Sequence, residues 1–99
     1  MAPRPELQTL LETITDDVYF QPPTNVTLRY PCIVYERDYA DTKFAGNKPY
    51  SHMVRYRVIV IDRNPDSPML AQVAALPMCT FNRFYAIDDL NHNVYQLFF

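Results

Sequence analysis

The chain of 99 residues predicts an α+β fold: one domain in α-β-β-α-β-β order, with a mainly antiparallel sheet and two helices packed on one face. Three observations carry this. Apolar residues recur at helical spacing in two short windows, Leu7, Leu10, Leu11, Ile14 and Leu70, Val73, Ala74, Leu76. Between Val54 and Ile61 the pattern has period two. The length suffices for one modest core and not for two.

Pro5 suits the first turn of a helix, where its missing N–H leaves nothing unpaired. The stripe from Leu7 to Ile14 continues that helix to about Thr15-Asp16-Asp17. Val18 to Asn25, with Pro22 and Pro23, reads as an extended connector, because residues before proline avoid the helical region. Val26 to Arg37 reads as the first long strand, with Pro31 tolerable at an edge or near a strand start. Glu36 to Tyr50 reads as a long charged loop, although hairpin loops usually take about two to five residues. It carries both charge signs, several aromatics and the single glycine, which suits an arm that touches something.

Met53 to Asp62 is the second strand, Val54, Tyr56, Val58 and Val60 alternating with Arg55, Arg57, Ile59 and Ile61. Asp62 to Asp66 is turn chemistry, and Ser67-Pro68 is an N-cap followed by a first-turn proline. The second helix is stopped by Pro77. Met78 to Ala86 is a third strand, broken by Asp88-Asp89, and Asn93 to Phe99 is the fourth.

Composition narrows function. Hydrophobic residues make up 48%, an ordinary globular value that argues against disorder throughout. A net charge of -2 lacks the basic excess of a dedicated nucleic-acid binder. No apolar run approaches the roughly 20 residues of a membrane span, and no apolar stretch follows the N-terminal residues, so the expectation is a protein that stays in the cytoplasm where it is made. Cys32 and Cys79 are widely separated without metal or redox spacing, and read as small buried thiols. Eight Tyr and six Phe beside a single glycine point to broad contact surfaces and not to a glycine-lined ligand cradle.

Candidate chemistry is sparse. His52 and His92 sit in no catalytic signature and read as turn or strand-end hydrogen-bonding groups. Asp41-Thr42-Lys43 and Pro65-Asp66 have the residue types of a metal nuclease, but in reversed order and in presumed loops, so a solvated charged surface is the better reading. Arg55, Arg57, Arg63, Lys43 and Lys48, interleaved with Tyr50 and Tyr56, could hold phosphates and stack bases. Glu36, Asp38, Asp41, Asp62 and Asp66 in the same region offset that field, which favours cross-subunit ion pairing. No catalytic, cofactor-binding or metal-binding residue is assigned. Val94, Tyr95, Leu97, Phe98 and Phe99 place apolar groups on both faces of the last strand, one of which needs cover from a helix or a neighbouring chain.

Four segments, Tyr30-Pro-Cys-Ile-Val-Tyr35, Arg55-Tyr-Arg-Val-Ile-Val-Ile-Asp-Arg-Asn-Pro-Asp-Ser67, Leu76-Pro-Met-Cys79 and Asp89-Leu-Asn-His-Asn-Val-Tyr-Gln-Leu-Phe-Phe99, together resemble the tail terminator (tail-to-head joining, or tail completion) family of long-tailed bacteriophages. The resemblance covers most of the chain after Val26. It implies a virion protein of the tail and neck, a hexameric ring that caps the tail tube and stops its polymerisation. One face of the ring meets the major tail protein and the other a head-completion or connector protein, and genomic DNA passes through the lumen without sequence recognition. It implies no catalytic residue and no cofactor.

A cyclic ring uses heterologous contacts, and extended segments are natural carriers of them. The interface is therefore expected to include Glu36, Arg37, Asp38, Tyr39, Asp41, Lys43, Phe44, Lys48, Tyr50, Arg55, Arg57, Phe98 and Phe99. The alternatives are a head-closure or neck connector protein of the same particle, a small nucleic-acid-binding module using the Arg-Tyr strand and, well behind these, an enzyme.

Overall fold

In the computed structural model, residues 4–23, 27–45 and 48–99 are described, with side chains for these except 39–53. The class is as expected, α+β with a mostly antiparallel sheet, but the order is α-β-β-β-α-β-β. Helix α1 (Arg4–Glu12) is followed by β1 (Val18–Phe20), β2 (Cys32–Ala45) and β3 (Lys48–Asp62). Helix α2 (Met69–Ala74), β4 (Cys79–Ile87) and β5 (Leu90–Phe98) complete the chain. The five strands form one sheet in the order β1-β2-β3-β5-β4. Among the described residues only β1 and β2 pair in parallel.

Three expectations about the strands are corrected. The presumed connector contains β1, whose Val18, Tyr19 and Phe20 lie opposite Ile33, Val34 and Tyr35. The main chain closes this ladder at both ends: Ile33 N–H donates to the Asp17 carbonyl (2.9 Å) and Gln21 N–H to the Tyr35 carbonyl (3.0 Å). Gln21 then extends the pairing with its side chain, Oε1 accepting from Arg37 N–H at 3.2 Å. Second, the strand expected from Val26 starts at Cys32, directly after Pro31. A proline lacks the N–H that a ladder needs, so a boundary there is physically sensible. Third, Glu36 to Tyr50 is not a long loop. β2 runs to Ala45 and β3 starts at Lys48, in register from Cys32↔Ile61 to Ala45↔Lys48.

Helix α1 ends at Glu12, earlier than the stripe implies. Its last turn tightens: Thr13 N–H reaches the Leu10 carbonyl (3.2 Å), Ile14 N–H the Leu11 carbonyl (2.9 Å), and Thr13 Oγ1 also donates to Leu10 (2.6 Å). The turn before α2 is built from side chains mimicking backbone. Asp62 Oδ1 accepts from Asn64 N–H and Asn64 Oδ1 from Asp66 N–H, each at 3.0 Å. Ser67 Oγ then accepts from Met69 N–H at 3.3 Å, the capping role its position predicts.

Alternation along the strands divides the sheet into two faces. On one, Ile33 and Tyr35 of β2, Tyr56, Val58 and Val60 of β3, and Tyr95 and Leu97 of β5 form a buried cluster. Leu7 and Leu11 of α1 and Met69 and Val73 of α2 join the same cluster, so both helices cover this face. At its centre Tyr35 is fully buried, its ring against Phe20 (4.9 Å) and Tyr56 (6.1 Å). Its hydroxyl donates to Gln8 Oε1 and accepts from Arg4 Nη1 at 3.2 Å, while the Arg4 guanidinium lies 4.3 Å over the Phe20 ring. One tyrosine thus ties α1 to β1 and β2.

Candidate functional site

The opposite face of the sheet grades from apolar to charged along the strands. Register aligns Cys32, Ile61 and His92 in one row, Val34, Ile59 and Val94 in the next, and Glu36, Arg57 and Gln96 in the third. Beyond that row β2 has an irregularity between Arg37 and Tyr39, which leaves Asp38 as the extra residue of a bulge. Here an ion cluster closes. Arg57 Nη1 pairs with Glu36 Oε1 at 2.9 Å and Nη2 with Asp38 Oδ1 at 3.3 Å, while Arg55 Nε pairs with Asp38 Oδ2 at 3.0 Å. The Asp38 side chain is only 12% exposed, held between two guanidiniums. Isolated exposed pairs contribute about 0–1 kcal/mol, so the value of this cluster lies in geometry: it fixes the backbone where the bulge would otherwise be free to bend.

Past the cluster the hairpin stands alone. β5 meets β3 only up to Arg55↔Phe98, with Phe99 N–H reaching the Val54 carbonyl (3.2 Å), and β1 meets β2 only up to Phe20↔Tyr35. From Tyr39 to Ala45 and from Lys48 to Met53, the two strands pair with each other and with no other strand among the described residues. The sheet therefore carries a two-stranded ribbon, in a molecule whose longest dimension is 52 Å against 28 and 23 Å.

Of the expected interface residues, Glu36, Asp38, Arg55 and Arg57 are brought together, paired within the subunit instead of offered as separate charges. Arg37 is exposed on the helix side of β2. Tyr39, Asp41, Lys43, Phe44, Lys48 and Tyr50 occupy ribbon positions, and their side chains, like that of His52, lie outside the described residues. Phe98 and Phe99 are half-buried, and Phe99 packs against the subunit's own core.

Of the two ways expected to cover the last strand, a helix or a neighbouring chain, its buried positions need only the subunit itself. β5 is interior, and its Val94, Tyr95 and Leu97 are all buried. The apolar excess appears instead on the edge strand β4 and its entry: Met78 is 62% exposed, Phe81 57%, Phe84 52% and Ile87 55%. Sequence reading missed these residues, because alternation in Met78 to Ala86 identifies a strand without saying whether it is central or an edge.

The reactive groups give little to work with. Burial, helped by the nearby Asp17 charge, pushes the Cys32 thiol up to about 12, and burial also raises Cys79. Both thiols stay protonated, and the thiolate is the nucleophile. His92 stacks on Tyr85 at 4.6 Å with its Nδ1 3.2 Å from the Leu90 carbonyl oxygen, and Arg83 lies 5.5 Å over the Tyr85 ring. Among the described residues there is no grouping of three or more metal-ligating side chains and no enclosed pocket. No family model, curated protein or solved structure matches the chain.

Proposed function

We propose that this chain is a structural ring subunit of a long-tailed phage, a tail terminator that caps the tail tube, stops its polymerisation and joins tail to head. The observation that carries the reading is the ribbon. Two-stranded hairpins are at best marginally stable alone in water, so a long one outside its own sheet is best accounted for by a partner that completes it. The resemblance in four segments supplies the kind of assembly: copies of the same chain in a ring, with the major tail protein on one side and a head connector on the other.

The ion cluster at the ribbon's root supports a contact role over nucleic-acid binding. Arg55 and Arg57 are matched by Glu36 and Asp38, which leaves little net field for a phosphate backbone. DNA passing through such a ring would need no adhesive surface. The test is to remove the ribbon cleanly, deleting residues 41–53 and joining Ala40 to Val54 through Asn-Gly, a two-residue hairpin turn. The expected product is a folded domain that neither forms rings nor caps tails in a complementation assay. Rings, or tails of normal length, from this variant would refute the reading. Labelled electron microscopy of the virion separates terminator from head-closure protein by where the label falls along the neck.

A further inference from the structure

We infer that the outer edge of β2 in the ribbon, Tyr39–Ala45, adds as a strand to the edge of β4 in a neighbouring copy. This rests on the self-assembly proposed above and names the surface that receives the arm.

The chemistry of the receiving surface is that of an unfinished sheet. β4 bonds to β5 on one side and to no strand on the other among the described residues. Its exposed apolar side chains fall on both faces. Phe81 and Phe84 lie opposite Tyr95 and Asn93, on the helix-covered side, while Ile87 lies opposite Leu90, on the other. A helix or globular partner docked on one face would leave the other wet. An added strand, with side chains alternating up and down, covers both and satisfies the edge's main-chain donors and acceptors. Edges are normally blunted by charged side chains, bulges or proline; β4 has no Lys or Pro, and its Arg83 and the irregularity between Phe81 and Arg83 still leave Phe81, Phe84 and Ile87 exposed along it. At roughly 200 Å² for a large side chain, four that are more than half exposed leave roughly 400 Å² of apolar surface, about half of what one partner of a stable interface buries. The added strand's backbone and flanking contacts would provide the remainder.

The choice of occupant follows from the other free edges. Pairing β4 with β4 of a second copy about its midpoint sets Arg83 against Arg83, and like charges directly opposite destabilise a sheet. β1 has only three residues to offer. In the ribbon, β3 carries Pro49, which suits an edge that stays unpaired. The β2 edge has no proline, and its Asp41 and Lys43 balance, so it meets a strand whose only charge is Arg83 without a like-charge excess. It is the remaining edge of adequate length.

The experiment is cross-linking in full-length protein carrying Cys79→Ser. Thr42→Cys marks the ribbon, and Thr80→Cys or Ala86→Cys marks either end of β4, to bracket the register. The expected result with a short bismaleimide is a ladder of covalent oligomers from a chain bearing both marks, and none from either mark alone. Phe84→Lys, at a side chain exposed in the subunit, should keep the thermal midpoint and lose the ring. Dimers from a β4 mark alone would overturn the assignment in favour of β4–β4 pairing. Rings that form without cross-links, or that survive Phe84→Lys, would overturn it while leaving the ring reading intact. Absence of any self-association, alone or on tail tubes, would overturn both.

Discussion

Tyr35 offers a quantitative test of how α1 is held to the sheet. Removing its hydroxyl by Tyr35→Phe keeps the ring against Phe20 and Tyr56 and loses the bonds to Gln8 and Arg4. Gln8 and Arg4 are only half-buried and can turn to water, so the cost is that of two net hydrogen bonds, about 1–3 kcal/mol. For a domain of this size each kcal/mol lowers the thermal midpoint by about 4–8 °C. Tyr35→Ala also empties the centre of a fully buried cluster and should cost about 3–5 kcal/mol, a large part of a typical domain's stability. Urea titration followed by circular dichroism measures both. Gln8→Leu made in the Tyr35→Phe background should cost less than in the native chain, by at least about 0.5 kcal/mol, because the shared bond is already gone. Strict additivity of the two changes, or equal losses for Tyr35→Phe and Tyr35→Ala, would refute this account of the anchor.

Two further predictions concern pH and a turn. Between pH 9 and pH 12 the Cys32 thiol ionises in the unfolded chain but stays protonated in the folded one, so the unfolded state binds fewer protons and stability falls as pH rises. Cys32→Ala should make that fall shallower by up to about 1.4 kcal/mol per pH unit, and an unchanged slope in alkaline denaturation would contradict it. Tyr35 and Tyr95, both raised by burial, add to the fall above their ordinary value of 10.0. Asp88 and Asp89 join β4 to β5 with φ of 53° and 63°, the left-handed pair of a tight hairpin turn. Replacing them by Asn-Gly should raise stability by up to about 1 kcal/mol, and a lower thermal midpoint would contradict the strain argument.

The sequence made some elements legible and hid others for physical reasons. The Leu7–Leu11 stripe and the alternation through Val54–Val60 report burial directly, because each packs one face on a single core. β1 is too short for any period to show, and its flanking prolines dominate the reading. The ribbon is hidden because its two strands leave the sheet, so no apolar alternation marks them. Arg55 and Arg57 were named together with Glu36 and Asp38, but their pairing depends on a cross-strand register that hydropathy does not encode. Strand order is set by pairings between residues distant in the chain. That is why the apolar pattern of Asn93 to Phe99 identifies a strand but not its interior place, with β4 at the edge.

The bulge at Asp38 gives the ribbon a hinge point and, at the same spot, a clamp. A seven-residue extension of strand reaches about 23 Å, so a tilt of about 10° at Asp38 moves the tip by about 4 Å, close to the spacing between neighbouring strands. An error of that size at the root would set the tip one strand away from its target. The two guanidiniums that grip the Asp38 carboxylate therefore act on a lever: their leverage lies in aim, and a modest local energy fixes where a distant end arrives.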